Sequence, residues 1–370
     1  MRLALRELVR RPSRFVTATM ILTLIAALLM FLGGLLDGLI RTSTGAIRAQ
    51  QADAIVYSAT SQGSFLRSRI EPATREAITR LDGVADTGGL GVVLLGARVP
   101  GNGPRELANV AVWGYELAPA GVPAPPAPGE AWADEILQAD GVELGDRLLV
   151  GPARTPLTVV GWVANTSFNG QGGLWTDVST WRAVLGANRP DAVLADGVFQ
   201  AIVVRGTGAS AADVATAIDG ALGGAVAAFT VPEAIDAIPG VTEQRTTFNQ
   251  ILGVTVVIAL VVISLFFALL TVERTALYGV LKAIGARSRT IFAGLVVQAL
   301  VVTLVAAVVA GAAVIVLDVL IPPGSIPLSI SAARIATSTV LLLVAAVVGC
   351  AFSLRRVLRV DPASALGGSP

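Results

Sequence analysis

The chain has very few side chains that could transfer a chemical group or ligate a metal. Its 370 residues include no histidine, one cysteine (Cys350) and one lysine (Lys282). Without histidine, a Ser-His-Asp triad, a histidine-bound zinc ion and a histidine-ligated haem are all excluded. Cys350 stands alone inside an apolar run, so no disulfide is expected. The sequence therefore predicts no catalytic residue and no metal site.

The single lysine also bears on nucleotide hydrolysis. A phosphate-binding loop needs the pattern G-x-x-x-x-G-K-[ST], in which glycines and lysine surround the phosphates. Lys282 follows Leu281 rather than a glycine, so the pattern is not present in these residues. Any ATP-driven step is then expected to belong to another polypeptide.

The most informative charged segment covers residues 273–285 and reads ERTALYGVLKAIG. It lies between two strongly apolar runs, where a short helix connecting two membrane helices is expected. Spacing alone is also explained by a basic inner loop that follows the positive-inside tendency. The role of the segment is therefore open at this point.

Four apolar runs must position these charged residues. They cover residues 15–40, 251–272, 291–317 and 335–354. Each run reaches the roughly 20 residues needed to cross about 30 Å of hydrocarbon. A mean hydropathy of +0.73 and a charged fraction of 14% also indicate a membrane protein rather than a soluble one. The sequence predicts one membrane helix before a long polar insert and three after it.

The distribution of charge predicts the orientation in the membrane. The short segments 1–14, 273–290 and 355–370 carry twelve cations against three acids, whereas the rest of the chain carries fifteen cations and 23 acids. Short basic segments stay in the cytoplasm. We therefore expect both termini inside a bacterial cell membrane and the large insert outside.

The insert alternates short apolar runs with Gly- and Pro-containing turns, which is typical of an α+β domain, here expected in two lobes. The predicted order of segments is a cytoplasmic amphipathic helix (1–14), transmembrane helix 1 (15–40), the extracytoplasmic domain (41–246), transmembrane helix 2 with an outer stalk (247–272), a cytoplasmic coupling helix (273–290), transmembrane helix 3 (291–317), an outer loop (318–334), transmembrane helix 4 (335–354) and a cytoplasmic tail (355–370).

Three motifs resemble one family of permeases. In residues 273–286 a pattern E-R-x-x-x-x-G-x-x-K-A-x-G-A is matched by Glu273, Arg274, Gly279, Lys282, Ala283, Gly285 and Ala286. The tail 355–366 (RRVLRVDPASAL) and the start 5–15 (LRELVRRPSRF) add two further matches. Pattern and layout are similar to those of the MacB, LolC/LolE and FtsX superfamily of type VII ABC transporters.

That resemblance implies a function and partners. It implies a homodimer of permeases in membrane lipid, with a cytoplasmic ATPase docked beneath each copy, which binds ATP and Mg²⁺. The ATPase's movement would reach the permease by mechanotransmission, through coupling residues Glu273, Arg274, Gly279, Lys282 and Gly285. No nucleic-acid partner is expected, and an extracytoplasmic protein partner is left open.

Local sequence resembles the DevC and Hrt-type branch, through TTFNQ at 246–250, ADAIVY at 52–57 and GSFLRSR at 63–69. Hrt-type permeases export haem, which implies an amphipathic substrate taken from the outer leaflet. Without histidine, the iron would meet methionine, tyrosine or a carboxylate. We therefore predict Met30, Asp37 and Glu243 as substrate residues. Lipid contact or helix packing would also explain Met30, and solvated helix ends would explain the two acids.

Small residues on the first apolar run indicate a close helix contact. Gly34 and Gly38 form a G-x-x-x-G motif, which lets two membrane helices approach each other. A dimer contact and packing against the second span are both predicted from this pattern.

Two other functions stay open on sequence grounds. One is FtsX-like signalling to an extracytoplasmic partner, which would need a large exposed apolar patch. The candidates for such a patch are Phe65, Leu66, Phe168 and Trp175. The other is extrusion of a lipoprotein, a lipid or an antimicrobial peptide.

Overall fold

The computed structural model describes residues 12–103, 105–273, 280, 284–285, 287–321 and 326–358. These residues form two compact units, and the division runs through two long helices. We call the part up to Asp37, with Thr246–Ile321 and the residues from Leu328 onward, the membrane unit. We call Gly38–Arg245 the inserted domain.

The described residues form eight α-helices. They are α1 (Pro12–Arg48), α2 (Pro72–Thr79), α3 (Val178–Asn188), α4 (Ala211–Ala221), α5 (Val231–Asp236), α6 (Val241–Glu273), α7 (Ser288–Leu320) and α8 (Ala332–Leu358). Four helix segments are long and apolar enough to cross a membrane: Phe15–Arg48, Val241–Glu273, Arg289–Leu320 and Ala332–Ala351. The predicted arrangement of one span before the insert and three after it is confirmed.

Two of these helices are longer than the apolar runs that predicted them. Helix α1 continues to Arg48, and α6 already begins at Val241. No proline interrupts the polar residues of either extension, so helical hydrogen bonding continues through them. The boundaries predicted at 40/41 and 246/247 therefore fall inside helices.

The core of the membrane unit is built from small and large apolar side chains that face each other. Phe15 and Leu22 of α1 pack in one buried cluster with Phe267 and Leu295. A second cluster joins α1 to α7 and includes small residues such as Ala310. Hydroxyl groups inside the helices bond to backbone carbonyls four residues earlier, as Thr271 does to Phe267 at 2.6 Å.

The described residues of the inserted domain form nine strands. They are β1 (Ala54–Ser58), β2 (Val84–Arg98), β3 (Leu107–Tyr115), β4 (Glu130–Asp134), β5 (Arg147–Val150), β6 (Thr155–Val163), β7 (Gly172–Thr176), β8 (Ala201–Gly206) and β9 (Val226–Phe229). Their order in the sheet is β3-β7-β4-β6-β5-β2-β8-β1-β9, and β2 also pairs with β3.

Strand β2 divides this sheet into two lobes. Because β2 pairs with both β5 and β3, six strands close into a ring. The first half of β2 pairs with β8, which extends the sheet through β1 to β9. Helices α2, α4 and α5 lie against this extension. The α+β class and the two lobes predicted from sequence are both observed.

Candidate functional site

The last turns of α1 are fixed to the loop between β6 and β7 (residues 164–171) by backbone hydrogen bonds. The amide of Ala46 donates to the carbonyl of Ser167 at 3.0 Å. In the opposite direction, the amides of Asn169 and Gly170 donate to carbonyls of α1 at 3.0 and 3.2 Å. A Cβ at Gly45 would lie only 2.6 Å from the Asn165 carbonyl oxygen. Glycine is thus what allows helix and loop backbones to touch.

A buried carboxylate holds this β6–β7 loop in its shape. Asp134, 3% exposed at the end of β4, accepts from the amide and the hydroxyl of Thr166, both at 2.6 Å. Its other oxygen accepts from the amide of Ile136 at 3.1 Å. Asn165 and Asn169 have φ values of 57° and 52°, a region that asparagine tolerates better than most residues. The loop is therefore a rigid seat for α1.

Helix α6 is attached to the inserted domain differently. It follows Gly240, whose φ of 89° turns the chain, and its first residue, Val241, is buried. Arg245 pairs with Asp236 at 2.9 Å, and both side chains are about half exposed. The hydroxyl of Thr242 donates to the carbonyl of Asp236 at 3.0 Å. Side-chain contacts and one turn, rather than backbone hydrogen bonds to a separate loop, hold the start of α6 in the inserted domain.

Glu243 lies exposed in the first turn of α6. A carboxylate at this position is stabilised by the positive end of the helix dipole. Glu243 belongs to the inserted domain, whereas Met30 and Asp37 belong to the membrane unit. The three predicted substrate residues are therefore not gathered within one compact unit.

Met30 is fully buried in the membrane unit. Its sulfur lies 3.9 Å from the position that a Cβ would take at Gly311 of α7. Alanine residues such as Ala307 and Ala310 complete the space around it. Because small residues on α7 admit the thioether, Met30 packs between helices. This placement agrees with the packing role that the sequence also allows for Met30, and its role as a substrate residue stays a prediction.

Asp37 is engaged in an ion pair with Arg334 of α8. The Nε of Arg334 donates to Oδ2 of Asp37 at 2.8 Å, and Nη2 donates to Oδ1. The two side chains are 32% and 23% exposed. This bidentate pair, 297 residues apart in sequence, was not predicted, and no local pattern in the sequence signals it.

The glycines of the first span make a close contact inside the chain. A Cβ at Gly34 would lie 2.2 Å from Cδ1 of Ile330, and one at Gly33 would lie 2.6 Å from Cδ of Arg334. The carbonyl of Gly38 accepts from the hydroxyl of Thr42 at 3.1 Å. The close approach at Gly34 is thus made, within the chain, with the residues that lead into α8, and the predicted dimer contact stays a prediction.

Most of the predicted coupling segment lies outside the described residues, including Arg274, Gly279 and Lys282. Glu273 is the last residue of α6. The amide of Ile284 donates to the carbonyl of Val280 at 3.1 Å, which is a helical hydrogen bond, and Gly285 has a φ of 93°. Gly285 therefore follows this hydrogen bond in the left-handed conformation that favours glycine.

An open apolar groove of about 520 Å³ lies between α1 and α7 in the membrane unit. Its walls contain Met20, which is 59% exposed, and the hydroxyls of Thr19 and Thr23 bond to their own helix. No pattern in the sequence predicts this groove, because it depends on how two helices far apart in the chain face each other. Such a surface suits hydrocarbon. Among the described residues, no cluster of three or more Cys, Asp and Glu could hold a metal ion.

Comparison with known proteins identifies the membrane part. The FtsX-like permease C-terminal family matches residues 249–362. Two proteins named putative hemin transport system permease protein HrtB, from two strains of Staphylococcus epidermidis, are 21% identical over 368 residues, covering 100% of this chain and 99% of theirs.

Two solved structures are similar to part of the chain. The periplasmic region of MacB from Actinobacillus actinomycetemcomitans aligns with 50% of this chain and 92% of its own length, at 14% identity and a TM-score of 0.35. The extracellular domain of the noncanonic ABC-type transporter YknZ from Gram-positive bacteria aligns with 48% of this chain and 98% of its own length, at 12% identity and a TM-score of 0.32.

The coupling motif, the four spans in a one-plus-three order and the family match agree with each other. In permeases of this kind the ATPase is a separate subunit. Residues 249–362 form an FtsX-like permease C-terminal domain, and the chain is similar to ABC-transporter permeases over its full length.

Proposed function

We propose that this permease subunit works in an ATP-driven exporter that extrudes an amphipathic substrate, with haem as the best candidate, by mechanotransmission. One observation carries the proposal. Helix α1 runs unbroken for 37 residues, about 55 Å, and its final turns are held in the inserted domain by backbone hydrogen bonds. A rigid rod fixed at one end transfers a displacement applied to the other.

The driving movement would come from two ATPase subunits beneath a permease homodimer. Residues 273–285 would receive it, with Glu273, Arg274, Gly279, Lys282 and Gly285 at the contact. The basic segments of the chain support an orientation with these residues and both termini in the cytoplasm of a bacterium, and the inserted domain outside. Binding and movement are coupled only if the substrate binds one state of the permease better than the other.

Haem is favoured as the substrate by the two hemin permeases that match over the full length. Of the three predicted substrate residues, Glu243 is exposed, Asp37 is ion-paired and Met30 is buried. Glu243 is therefore the residue we propose to meet the ligand first. A carboxylate is an acceptable, hard ligand for ferric iron in a chain that has no histidine.

The test is a haem titration of the permease with its ATPase in nanodiscs, following the Soret band and the ATPase rate together. We expect a saturable, near-stoichiometric shift that Glu243→Ala abolishes and that Glu71→Ala, at another exposed glutamate, preserves. Met30→Leu removes the sulfur while conserving volume. A changed spectrum in that variant shows that Met30 reaches haem in another conformation, and an unchanged one removes Met30 from the site.

No shift beyond that of empty nanodiscs would contradict haem as the substrate. A lipid, a lipoprotein or an antimicrobial peptide would then be tested by its effect on the ATPase rate. The signalling alternative has less support, because Phe65, Phe168 and Trp175 are buried in the core of the inserted domain. Only Leu66 of the four patch candidates is exposed, at 40%.

A further inference from the structure

Residues 328–334 cross α1 and lead into α8 within the membrane unit. The amide of Ser329 donates to the carbonyl of Gly34 at 3.0 Å. Ser331 then caps α8, since its hydroxyl accepts from the amide of Arg334 at 3.1 Å. Gly33 and Gly34 leave room for the side chains of Arg334 and Ile330. The backbone hydrogen bond of Ser329, the two glycines and the helix cap together place the Arg334 guanidinium against the Asp37 carboxylate.

The pair joins two charges that would each be unfavourable alone in an apolar helix. Ionisable residues in membrane helices are costly unless they are paired. A bidentate guanidinium–carboxylate pair fixes geometry as well as charge, which an ammonium group does not. Removing one partner leaves the other charge partly buried without compensation. The pair is thus a strong and directional contact between α1 and α8.

The position of this contact along α1 coincides with a structural division. The boundary between the two units falls in α1 between Asp37 and Gly38. The membrane-unit side of that division ends at the ion pair, and the inserted-domain side begins the segment that the β6–β7 loop holds. Helices α7 and α8 pack along each other as a hairpin. Arg334 therefore ties α1 to that hairpin at the last residue that α1 gives to the membrane unit.

We propose that Asp37 and Arg334 are positioning residues that make residues 33–37 of α1 a pivot. When α1 is driven, its membrane part swings about this point, while the distance between Asp37 and the start of α8 stays constant. The pivot deepens the proposed function and rests on it. It assigns the last membrane helix a defined task, which is to hold the fulcrum of α1.

The experiment uses the full permease with its ATPase in nanodiscs, in a Cys350→Ala background, with paired spin labels. One label pair, at Leu35 and Thr337, reports on the pivot. The other, at Met20 and Val308, reports on α1 against α7 away from it. Distances are measured by electron spin resonance without nucleotide and with ATP trapped by vanadate.

We expect ATP to change the distance between labels 20 and 308 and to leave that between 35 and 337 unchanged. Asp37→Asn and Arg334→Gln should make the 35–337 distance shift or broaden with ATP, and the swap Asp37→Arg with Arg334→Asp should restore it. Arg334→Lys keeps the charge, so it serves if the neutral variants fail to fold, and it should broaden the 35–337 distance. Glu76→Gln, which breaks an exposed pair with Arg80, is the matched control and should change neither distance.

Two other outcomes are distinguishable. If ATP changes the 35–337 distance in the unmodified pair, or if neutral variants leave it constant while the 20–308 distance still responds, the pivot is wrong and mechanotransmission stands. If neither distance responds to ATP in any variant, the proposed function itself fails.

Discussion

The inserted domain holds its two membrane helices by different means. The end of α1 is joined to the β6–β7 loop through main-chain atoms on both sides, over a glycine that permits contact. The start of α6 is held by a buried valine, a glycine turn and an ion pair that water reaches. Main-chain pairing fixes direction and register, whereas an exposed ion pair contributes about 0–1 kcal/mol. In the proposed mechanism, α1 would therefore drive the domain and α6 would follow it.

The largest effect is expected from a side chain placed at Gly45. In Gly45→Val, the new atoms would overlap the carbonyl oxygens of Asn165 and Ser167, 2.6 and 2.9 Å from the first added carbon. The loop must then leave its seat, at a cost of about 1–3 kcal/mol in the free energy of unfolding. We expect substrate export to fall roughly tenfold while ATP hydrolysis continues, since about 1.4 kcal/mol, which lies within that range, is a factor of ten.

Gly186→Ala is the matched control for this change. Gly186 lies inside α3 and has no atom within 4 Å of the added carbon. Export should be unaffected and helix α3 slightly stabilised. Normal export by Gly45→Val would show that the α1 attachment does not transmit the movement.

A second effect is expected at the carboxylate behind the loop, and it should be smaller in export because the helix–loop contact at Gly45 keeps its glycine. Asp134→Ala removes the acceptor of two short hydrogen bonds from Thr166. Hydrogen bonds to a charged group contribute about 1.5–3 kcal/mol each, and the buried donors would stay unsatisfied. Amide hydrogen exchange at Asn169 and Gly170 should accelerate, because those amides bond to α1 only while the loop keeps its shape.

Asp196→Ala, at an exposed aspartate, should leave the exchange of these amides unchanged. If the Asn169 and Gly170 amides exchange at an unaltered rate in Asp134→Ala, the β6–β7 loop is not a rigid seat for α1. The attachments of α1 and α6 to the inserted domain would then differ less than we infer.

The sequence predicts a feature of this structure when neighbouring residues determine it, and does not when the feature depends on residues far apart in the chain. The four spans and the α+β insert follow from hydropathy periods of a few residues, and those predictions hold. The Asp37–Arg334 pair joins positions far apart in the chain, so it depends on how complete helices pack. Met30 illustrates the same limit, because its burial is decided by small residues on α7 that sequence spacing does not relate to it.

The third prediction concerns the weaker attachment. Arg245→Ala breaks the ion pair with Asp236. The side chains of Arg245 and Asp236 are 40% and 52% exposed. Water already screens this pair, so the free energy of unfolding should fall by less than about 1 kcal/mol. Export should stay close to that of the unmodified permease. A loss as large as that of Gly45→Val would show that both helices are driven equally.

The smallest effect is expected from pH, at the helix that precedes α6. The backbone amide and the hydroxyl of Thr230 hydrogen-bond to Glu233 and hold the pKa of its carboxyl below the ordinary value of 4.5. Because the pKa is lower in the folded than in the unfolded state, this contribution is complete above about 4.5 and is lost as pH falls through the folded value.

Acid unfolding followed by circular dichroism should reveal this contribution. Glu233→Gln should flatten the loss of stability below the ordinary pKa, whereas Glu71→Gln should not, since Glu71 makes no side-chain cap hydrogen bond. If Glu233→Gln and the unmodified protein lose stability identically at acid pH, the Glu233 carboxylate does not stabilise the start of α5.

Strand β2 limits how the inserted domain can be truncated in the laboratory or divided in evolution. Its fifteen residues supply an edge to the closed ring and an edge to the extension that leads to β9. Any truncation that ends within β2 therefore opens both lobes at once, and neither lobe is available as a separate module for expression, exchange or duplication. Evolution can lengthen the loops of either lobe, but it must keep the two lobes together as one inseparable unit.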